Sequence, residues 1–165
     1  RKDVAERLRF HQNATGAVPS PFDCWLVMRG MRTLAVRMER ASQNAAHIAD
    51  WLTTRPEVSR VHYPGLADNP QRELVERQMR LPGAMVSFEL AGGEAIARKF
   101  VEATRLFTLA ESLGAVESLI ELPAAMTHAS VAGSPLEVPA GLVRLSVGIE
   151  AVEDLVADLE HALRA

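Results

Sequence analysis

Apolar positions recur along this chain at two spacings, and the switches between them outline its elements. Val4 and Leu8, joined by Phe10, predict a helix over residues 2–12 with those side chains inward, stopping near Asn13-Ala14-Thr15-Gly16. Pro19-Ser20-Pro21 then breaks the chain. Ser20 suits an N-cap, Pro21 the first helical position and Asp23 the capping acid. The helix that starts there is expected to run unbroken over about 21–54. Its stripe is Leu34, Met38, Ala41, Ala45, Ile48 and Leu52, and Pro56 lies beyond its end. Gly30 inside it costs about 1 kcal/mol relative to alanine, which a close approach of another backbone would explain.

Residues 58–63 read as a short strand, Pro64-Gly65 as a turn, and Asn69-Pro70 as the start of a helix to about residue 80. The clearest strand is 84–90: Ala84, Val86, Phe88 and Leu90 share one face, Met85, Ser87 and Glu89 the other. A helix over 94–103 turns Ile96 and Phe100 inward, and 105–109 reads as a strand. Residues 111–118, interrupted by Gly114 and Ala115, fit neither period. Residues 123–139 read as a long loop, a kind of segment that often carries function. A strand over 142–147 precedes a last helix over 151–163, with Val152, Leu155, Val156, Leu159 and Leu163 on one stripe and Glu150, Glu153 and Asp154 suiting its positive end. The sum is an α+β fold, an α/β sandwich: a small mixed, mostly antiparallel sheet with helices on one face.

Composition narrows the classes. With 165 residues, 48% hydrophobic and 24% charged, the chain can build one real core. A net charge of -3 argues against a nucleic-acid surface, and no apolar run is long enough for a membrane span. Arg1-Lys2-Asp3 leads into an amphipathic segment, so no signal peptide is expected. A start at Arg1 suggests a fragment or processed product. Cys24 is the single cysteine, which points to a reducing cytosol. In the first turn of a helix, it is expected to pack. The methionines fall mostly on helix stripes and read as core.

Two runs concentrate the candidate chemistry. Phe107-Thr-Leu-Ala-Glu-Ser-Leu-Gly114 and Leu142-Val-Arg-Leu-Ser-Val-Gly148 each begin strand-like and end in glycine. They are expected to lie close together and to present one cation. Arg144, between Val143 and Leu145, needs a reason to sit in an apolar strand. Either it clamps a carboxylate bidentately, or it makes a structural salt bridge, or its face is open to water. Glu111-Ser112 could touch a substrate or cap a turn. His128 could be a base or a surface histidine. Glu117 and Glu121, four apart, are weak grounds for acid–base work. The other histidines have no metal-ligand spacing. No glycine-rich phosphate loop or nucleophile elbow occurs, and neither Lys2 nor Lys99 has the setting of a Schiff base.

A set of ordered blocks goes further. They are Gln12-Asn-Ala-Thr-Gly-Ala-Val-Pro-Ser-Pro-Phe-Asp23, Met28-Arg-Gly-Met-Arg-Thr-Leu34, Tyr63-Pro-Gly-Leu66, Leu109-Ala-Glu-Ser-Leu-Gly114, Val116-Glu-Ser-Leu-Ile120, Pro123-Ala-Ala-Met-Thr-His-Ala-Ser130 and Val143-Arg-Leu-Ser-Val-Gly-Ile-Glu150. Over nearly its whole length the chain resembles the C-terminal portion of the pyridoxal-phosphate enzymes of cysteine and methionine metabolism, the cystathionine γ-lyase and γ-synthase group. The resemblance implies the C-terminal domain of a fold-type I enzyme, with residues 1–30 the tail of the cofactor-binding large domain and 31–165 the small domain. Pyridoxal 5'-phosphate would be bound mainly by the missing upstream domain, which also supplies the Schiff-base lysine. No catalytic, cofactor-binding or metal residue is expected in this chain.

Carried over by resemblance, Arg144 corresponds to the arginine that grips the substrate α-carboxylate. Ser112 corresponds to the serine beside substrate and cofactor, and Glu111 to the glutamate near the substrate's distal end. Gln12 and Asn13 correspond to a segment at the active-site entrance. Ala115 replaces a common second glycine, which stiffens the turn after Ser112. Glu121-Leu122-Pro123 replaces the Glu-His-Pro of many relatives and looks more like the lyases. The resemblance implies a cytosolic homotetramer acting on a small amino-acid substrate. It points to cleavage of the Cγ–S bond of L-cystathionine, with γ-replacement on an O-acylhomoserine as the alternative. A different class of reading is a truncated, catalytically inert interaction module docking on full-length subunits.

Overall fold

The computed structural model describes all residues 1–165, and the chain divides into two units, Arg1–Ala35 and Val36–Ala165. The first holds α1 (Lys2–Thr15) and α2 (Pro21–Met31). The expected capping box starts α2: the Asp23 N–H donates to Ser20 Oγ at 3.2 Å and the Ser20 N–H to Asp23 Oδ2 at 3.3 Å. No residue of either helix is buried. Val4, Leu8 and Phe10 are exposed rather than inward, because nothing within this unit supplies a surface for an amphipathic stripe to cover. Cys24 is exposed as well, not packed.

The single helix expected over 21–54 is two helices, α2 and α3 (Leu34–Thr53). At the join the Arg32 N–H reaches the Arg29 carbonyl and the Thr33 N–H the Gly30 carbonyl, both at 3.3 Å. These shorter i→i+3 bonds replace the α pattern just past the weakest helix former in the stretch. A Cβ added to Gly30 would meet nothing within 4 Å, so lack of room for a side chain is not what keeps glycine here.

The second unit is built on five strands, β1 (Val58–His62), β2 (Met85–Leu90), β3 (Thr108–Leu109), β4 (Leu119–Glu121) and β5 (Leu142–Ser146). They lie in the order β1-β2-β5-β4-β3, with β3 and β4 parallel and the other pairs antiparallel. The remaining helices are α4 (Arg72–Gln78), α5 (Gly93–Ala103), α6 (Pro123–Met126) and α7 (Val152–Leu163). This is the mixed, mostly antiparallel α+β architecture that the apolar periods predict.

The core lies between one sheet face and α3, α5 and α7. Val86, Phe88 and Leu90 point into it from β2, Val143 and Leu145 from β5, and Ile120 from β4. Ile48 and Leu52, Ala97 and Phe100, and Leu155 and Leu159 come from the three helices. Phe88 and Phe100 meet edge to face, ring centres 5.6 Å apart. Full burial of each such side chain contributes roughly 1.5–3 kcal/mol relative to exposure. The buried stripe of α3 starts only at Ala41, so Leu34 and Met38 remain exposed. Ile96 is exposed too, one helical step off the buried Ala97–Phe100 edge. No methionine is part of the buried core: Met28, Met31, Met38 and Met79 are exposed, and Met85 and Met126 are half-buried.

Three further differences have local causes. The strand expected over 105–109 shrinks to β3, because the N–H groups of Arg105, Leu106 and Phe107 donate to the Asp158 carboxylate of α7 at 2.8–3.0 Å instead of to a neighbouring strand. β4 arises within a stretch too short to show a period. Residues 123–139 contain α6 and a 3-10 turn at Ala129–Val131. At the end of β1, Tyr63 donates its hydroxyl to the Gly83 carbonyl at 3.0 Å, and burial, helped by the Asp50 charge, pushes its phenol up to about 12.

Candidate functional site

Strand alternation decides which side chains leave the core. On β5, Val143 and Leu145 point into it, so Arg144 and Ser146 fall on the other sheet face. The register sets Arg144 opposite Ser87 of β2 and opposite Glu121 of β4. Directly opposite residues share a face, so this arginine and glutamate are neighbours by construction.

They form an ion pair. Arg144 Nη1 lies 3.0 Å from Glu121 Oε1, with the arginine side chain 21% exposed and the glutamate 1%. Thr127 also donates its hydroxyl to Glu121 Oε1, at 3.1 Å, while Glu121 Oε2 is buried without a partner. On its other edge Arg144 Nη2 stands 3.5 Å from the Ser112 carbonyl, at the limit of a hydrogen bond. Two sequence alternatives therefore coexist. The structural salt bridge is formed, and the same guanidinium reaches the 111–112 turn and stays open to solvent. The pair is not closed.

The turn is held from the same face. The Gly114 N–H donates to Ser146 Oγ at 2.9 Å, and Gly114 takes a φ of +80°, a left-handed conformation that suits glycine. A polar frame fixes the chain around it. The Glu150 carboxylate accepts the Ser118 N–H at 2.7 Å and the Ser118 hydroxyl at 2.9 Å, and Ser118 Oγ accepts the Gly148 N–H at 2.8 Å. Asn44 of α3 donates to the Gly148 and Glu150 carbonyls at 3.0 and 2.9 Å. These bonds satisfy backbone groups that would otherwise be buried unpaired.

The predicted residues separate into groups. Arg144 and the Glu111-Ser112 turn come together, and Glu111 and Ser112 are exposed. Gln12 and Asn13 belong to the N-terminal unit, exposed in the last turns of α1, where the Gln12 carbonyl accepts the Ala17 N–H at 3.1 Å. His128 is exposed with Nδ1 2.8 Å from Thr127 Oγ1. Glu117 is exposed before β4, whereas Glu121 is buried within it, so the two do not act as a carboxylate pair.

Sequence reasoning misses Glu121 as the partner of Arg144. A carboxylate flanked by Leu119-Ile120 and Leu122-Pro123 is the one available signal, a charge inside an apolar run. Ser118 and Asp158 are missed as well, Asp158 being marked only by its place between Leu155 and Leu159. Ser146 and Glu150 are noticed, as a polar residue of its run and as an acid at the start of the last helix, but not as holders of the 111–118 segment. Chemically, Glu121 and Ser112 occupy part of the guanidinium and leave its remaining N–H groups for a planar anion such as a carboxylate. Lys99 is exposed on α5, which packs on the core side of the sheet, so no lysine of the second unit joins the site.

A family model described as "Cys/Met metabolism PLP-dependent enzyme" matches residues 1–164. A cystathionine gamma-synthase of Mycobacterium bovis is 56% identical over 98% of this chain and 42% of its own length. A cystathionine beta-lyase of Coxiella burnetii is 52% identical over 98% and 43%, and a cystathionine gamma-lyase of Dictyostelium discoideum 53% identical over 98% and 42%. The chain thus spans less than half the length of these relatives. Among solved structures, the crystal structure of metB from Corynebacterium glutamicum superimposes with a TM-score of 0.94 at 54% identity, covering 99% of this chain and 43% of that one.

Proposed function

From the premise that this chain belongs to the Cys/Met metabolism PLP-dependent enzyme family, we propose that it is the C-terminal part of an enzyme cleaving the Cγ–S bond of L-cystathionine. In this reading residues 1–30 end the cofactor-binding domain and residues 31–165 form the small domain. Arg144 docks the substrate α-carboxylate, Ser112 lies beside it, and Glu111 faces the distal end of the substrate. Gln12 and Asn13 belong to the entrance. A cytosolic homotetramer is part of the same proposal, supported by the resemblance.

The observation that carries it is the state of Arg144. Its guanidinium is held on one side by a buried carboxylate, and the arginine side chain as a whole is still 21% exposed beside the Ser112 turn. A purely structural arginine would have its N–H groups used up internally. This one keeps a docking edge, and binding a carboxylate there orients the amino acid without any proton transfer from Arg144.

The residues of this chain do not fit pyridoxal phosphate itself. Its only lysines are Lys2, paired with Glu6 at 3.9 Å on α1, and Lys99, exposed on α5. The cation at the site is already shared with Glu121. Holding the cofactor, an electron sink when bound, is therefore assigned to residues upstream.

The alternative, γ-replacement on an O-acylhomoserine with cysteine, is favoured by the 56% identity to a cystathionine gamma-synthase. The full-length protein is assayed with L-cystathionine alone and with an O-acylhomoserine plus cysteine; cysteine release from cystathionine in the first supports the lyase, and faster cystathionine formation in the second overturns it. Arg144→Lys tests the clamp, because it keeps a cation for Glu121 but loses the planar fork. It is expected to raise KM for the amino acid roughly 10- to 100-fold, as loss of a charge-assisted bond of about 1.5–3 kcal/mol implies.

A further inference from the structure

Glu121 is the most buried ionisable side chain on the sheet face that carries Arg144, and a carboxylate is costly to hold there. Its arrangement is unusual in a specific way. One oxygen, Oε1, takes both available donors, Arg144 Nη1 at 3.0 Å and Thr127 Oγ1 at 3.1 Å, while Oε2 is buried with none. A carboxylate placed for stability would engage the guanidinium through both oxygens, since the bidentate form is the stronger one. The one-oxygen contact gives up that strength and leaves more of the guanidinium fork unoccupied.

The neighbours sharpen the reading. The Thr127 hydroxyl directs its proton to Glu121, so His128, 2.8 Å from the same oxygen, serves as donor through Nδ1. The Glu121 side chain is thus held on a short polar chain that runs out to an exposed residue. On the opposite side, Nη2 of Arg144 rests 3.5 Å from the Ser112 carbonyl. The ion pair with Glu121 and the weaker approach to Ser112, on different nitrogens, together define the plane of this guanidinium.

We propose that Glu121 is a positioning residue for the substrate. Resting on the reading of Arg144 as the carboxylate clamp, it sets the plane of that guanidinium so that the unoccupied N–H edge meets the substrate α-carboxylate. Glu121 itself touches neither substrate nor cofactor and moves no proton. Thr127 supports it by fixing the oxygen that Arg144 uses. The specificity this adds is for a planar anion at the α-position, since a rotated fork would still attract negative charge but would lose the paired bonds.

The test is a cycle of variants in the full-length, cofactor-loaded protein, with KM and kcat read separately for the amino-acid substrate. Glu121→Gln keeps shape and one acceptor oxygen, and Thr127→Val removes the second contact at a solvent-facing position. Glu121→Gln is expected to raise KM about tenfold with kcat within about twofold, and Thr127→Val to raise KM by less, as small losses of alignment do. Placed on Arg144→Lys, which has no fork to orient, Glu121→Gln should add nothing further to KM. A fall in kcat at constant KM, or a full additional rise in KM on the Arg144→Lys background, overturns the positioning role while leaving the clamp standing. If Arg144→Lys alone leaves KM unchanged, the clamp reading fails, and this proposal fails with it.

Discussion

A Cβ built on Gly148 would run into the Val116 carbonyl oxygen and lie 2.8 Å from the Glu117 carbonyl carbon. That Val116 oxygen already accepts the Ile149 N–H at 2.9 Å, so the obstacle is backbone held by its own hydrogen bond. Gly148→Ala is expected to destabilise the chain by roughly 1–3 kcal/mol, the range for forced overpacking. Gly114→Ala meets no atom within 4 Å and carries only the left-handed strain of φ +80°, about 1–2 kcal/mol. Urea unfolding of both variants gives the comparison. A Gly148→Ala midpoint equal to that of the unmutated chain would refute the close approach. In the sequence both glycines simply end an apolar run, and nothing distinguishes them. What separates them is a contact with a residue far along the chain, which leaves no local trace. Arg144 shows the same limit. Its oddness in an apolar strand is visible in the sequence, but its partner Glu121 is set by strand register, and register depends on pairing that no single run encodes.

At the scale of elements, Asp158 ties α7 to the start of β3 by accepting three successive backbone N–H groups. It is 6% exposed, so those bonds replace water for both partners. Asp158→Asn keeps one acceptor oxygen and turns an N–H₂ toward N–H donors. It is expected to cost about 1–3 kcal/mol, the range for a buried polar group left unpaired. Amide exchange at Arg105, Leu106 and Phe107 should speed up ahead of the core of β2; protection unchanged at those three amides would remove the assigned role. The long elements are legible because their period repeats often enough to show: the buried stripes of α3, α5 and α7, and the alternation of β2 and β5. β4 is not, because Leu119–Glu121 completes less than two periods. The parallel pairing of β3 with β4 hides for another reason. Parallel neighbours are normally joined through a helix, and here residues 110–118 cross without one, tied down instead by Ser146 and Glu150.

For the molecule as a whole, the division of labour is the consequence that matters. The chain covers about 42% of the length of its curated relatives, and on the proposed reading what it contributes is recognition. It holds a guanidinium paired with a buried acid, a serine turn beside it, and a core under both. The amines it has are on helix surfaces: Lys2 is 91% exposed at its side chain, and Lys99 is exposed on α5. A lysine on an open helix surface is a poor nucleophile toward an aldehyde, because nothing around it excludes water or positions the carbonyl. The 165-residue chain alone should therefore retain no pyridoxal phosphate after dialysis and should not turn over cystathionine, whereas the full-length protein should do both. The same chain should keep its sheet, so far-ultraviolet circular dichroism separates an inactive folded domain from an unfolded one. Stoichiometric cofactor retention by the folded chain, or cysteine released from cystathionine by it, would show that the reaction centre lies within these residues and that the assignment of cofactor binding to the upstream domain is wrong.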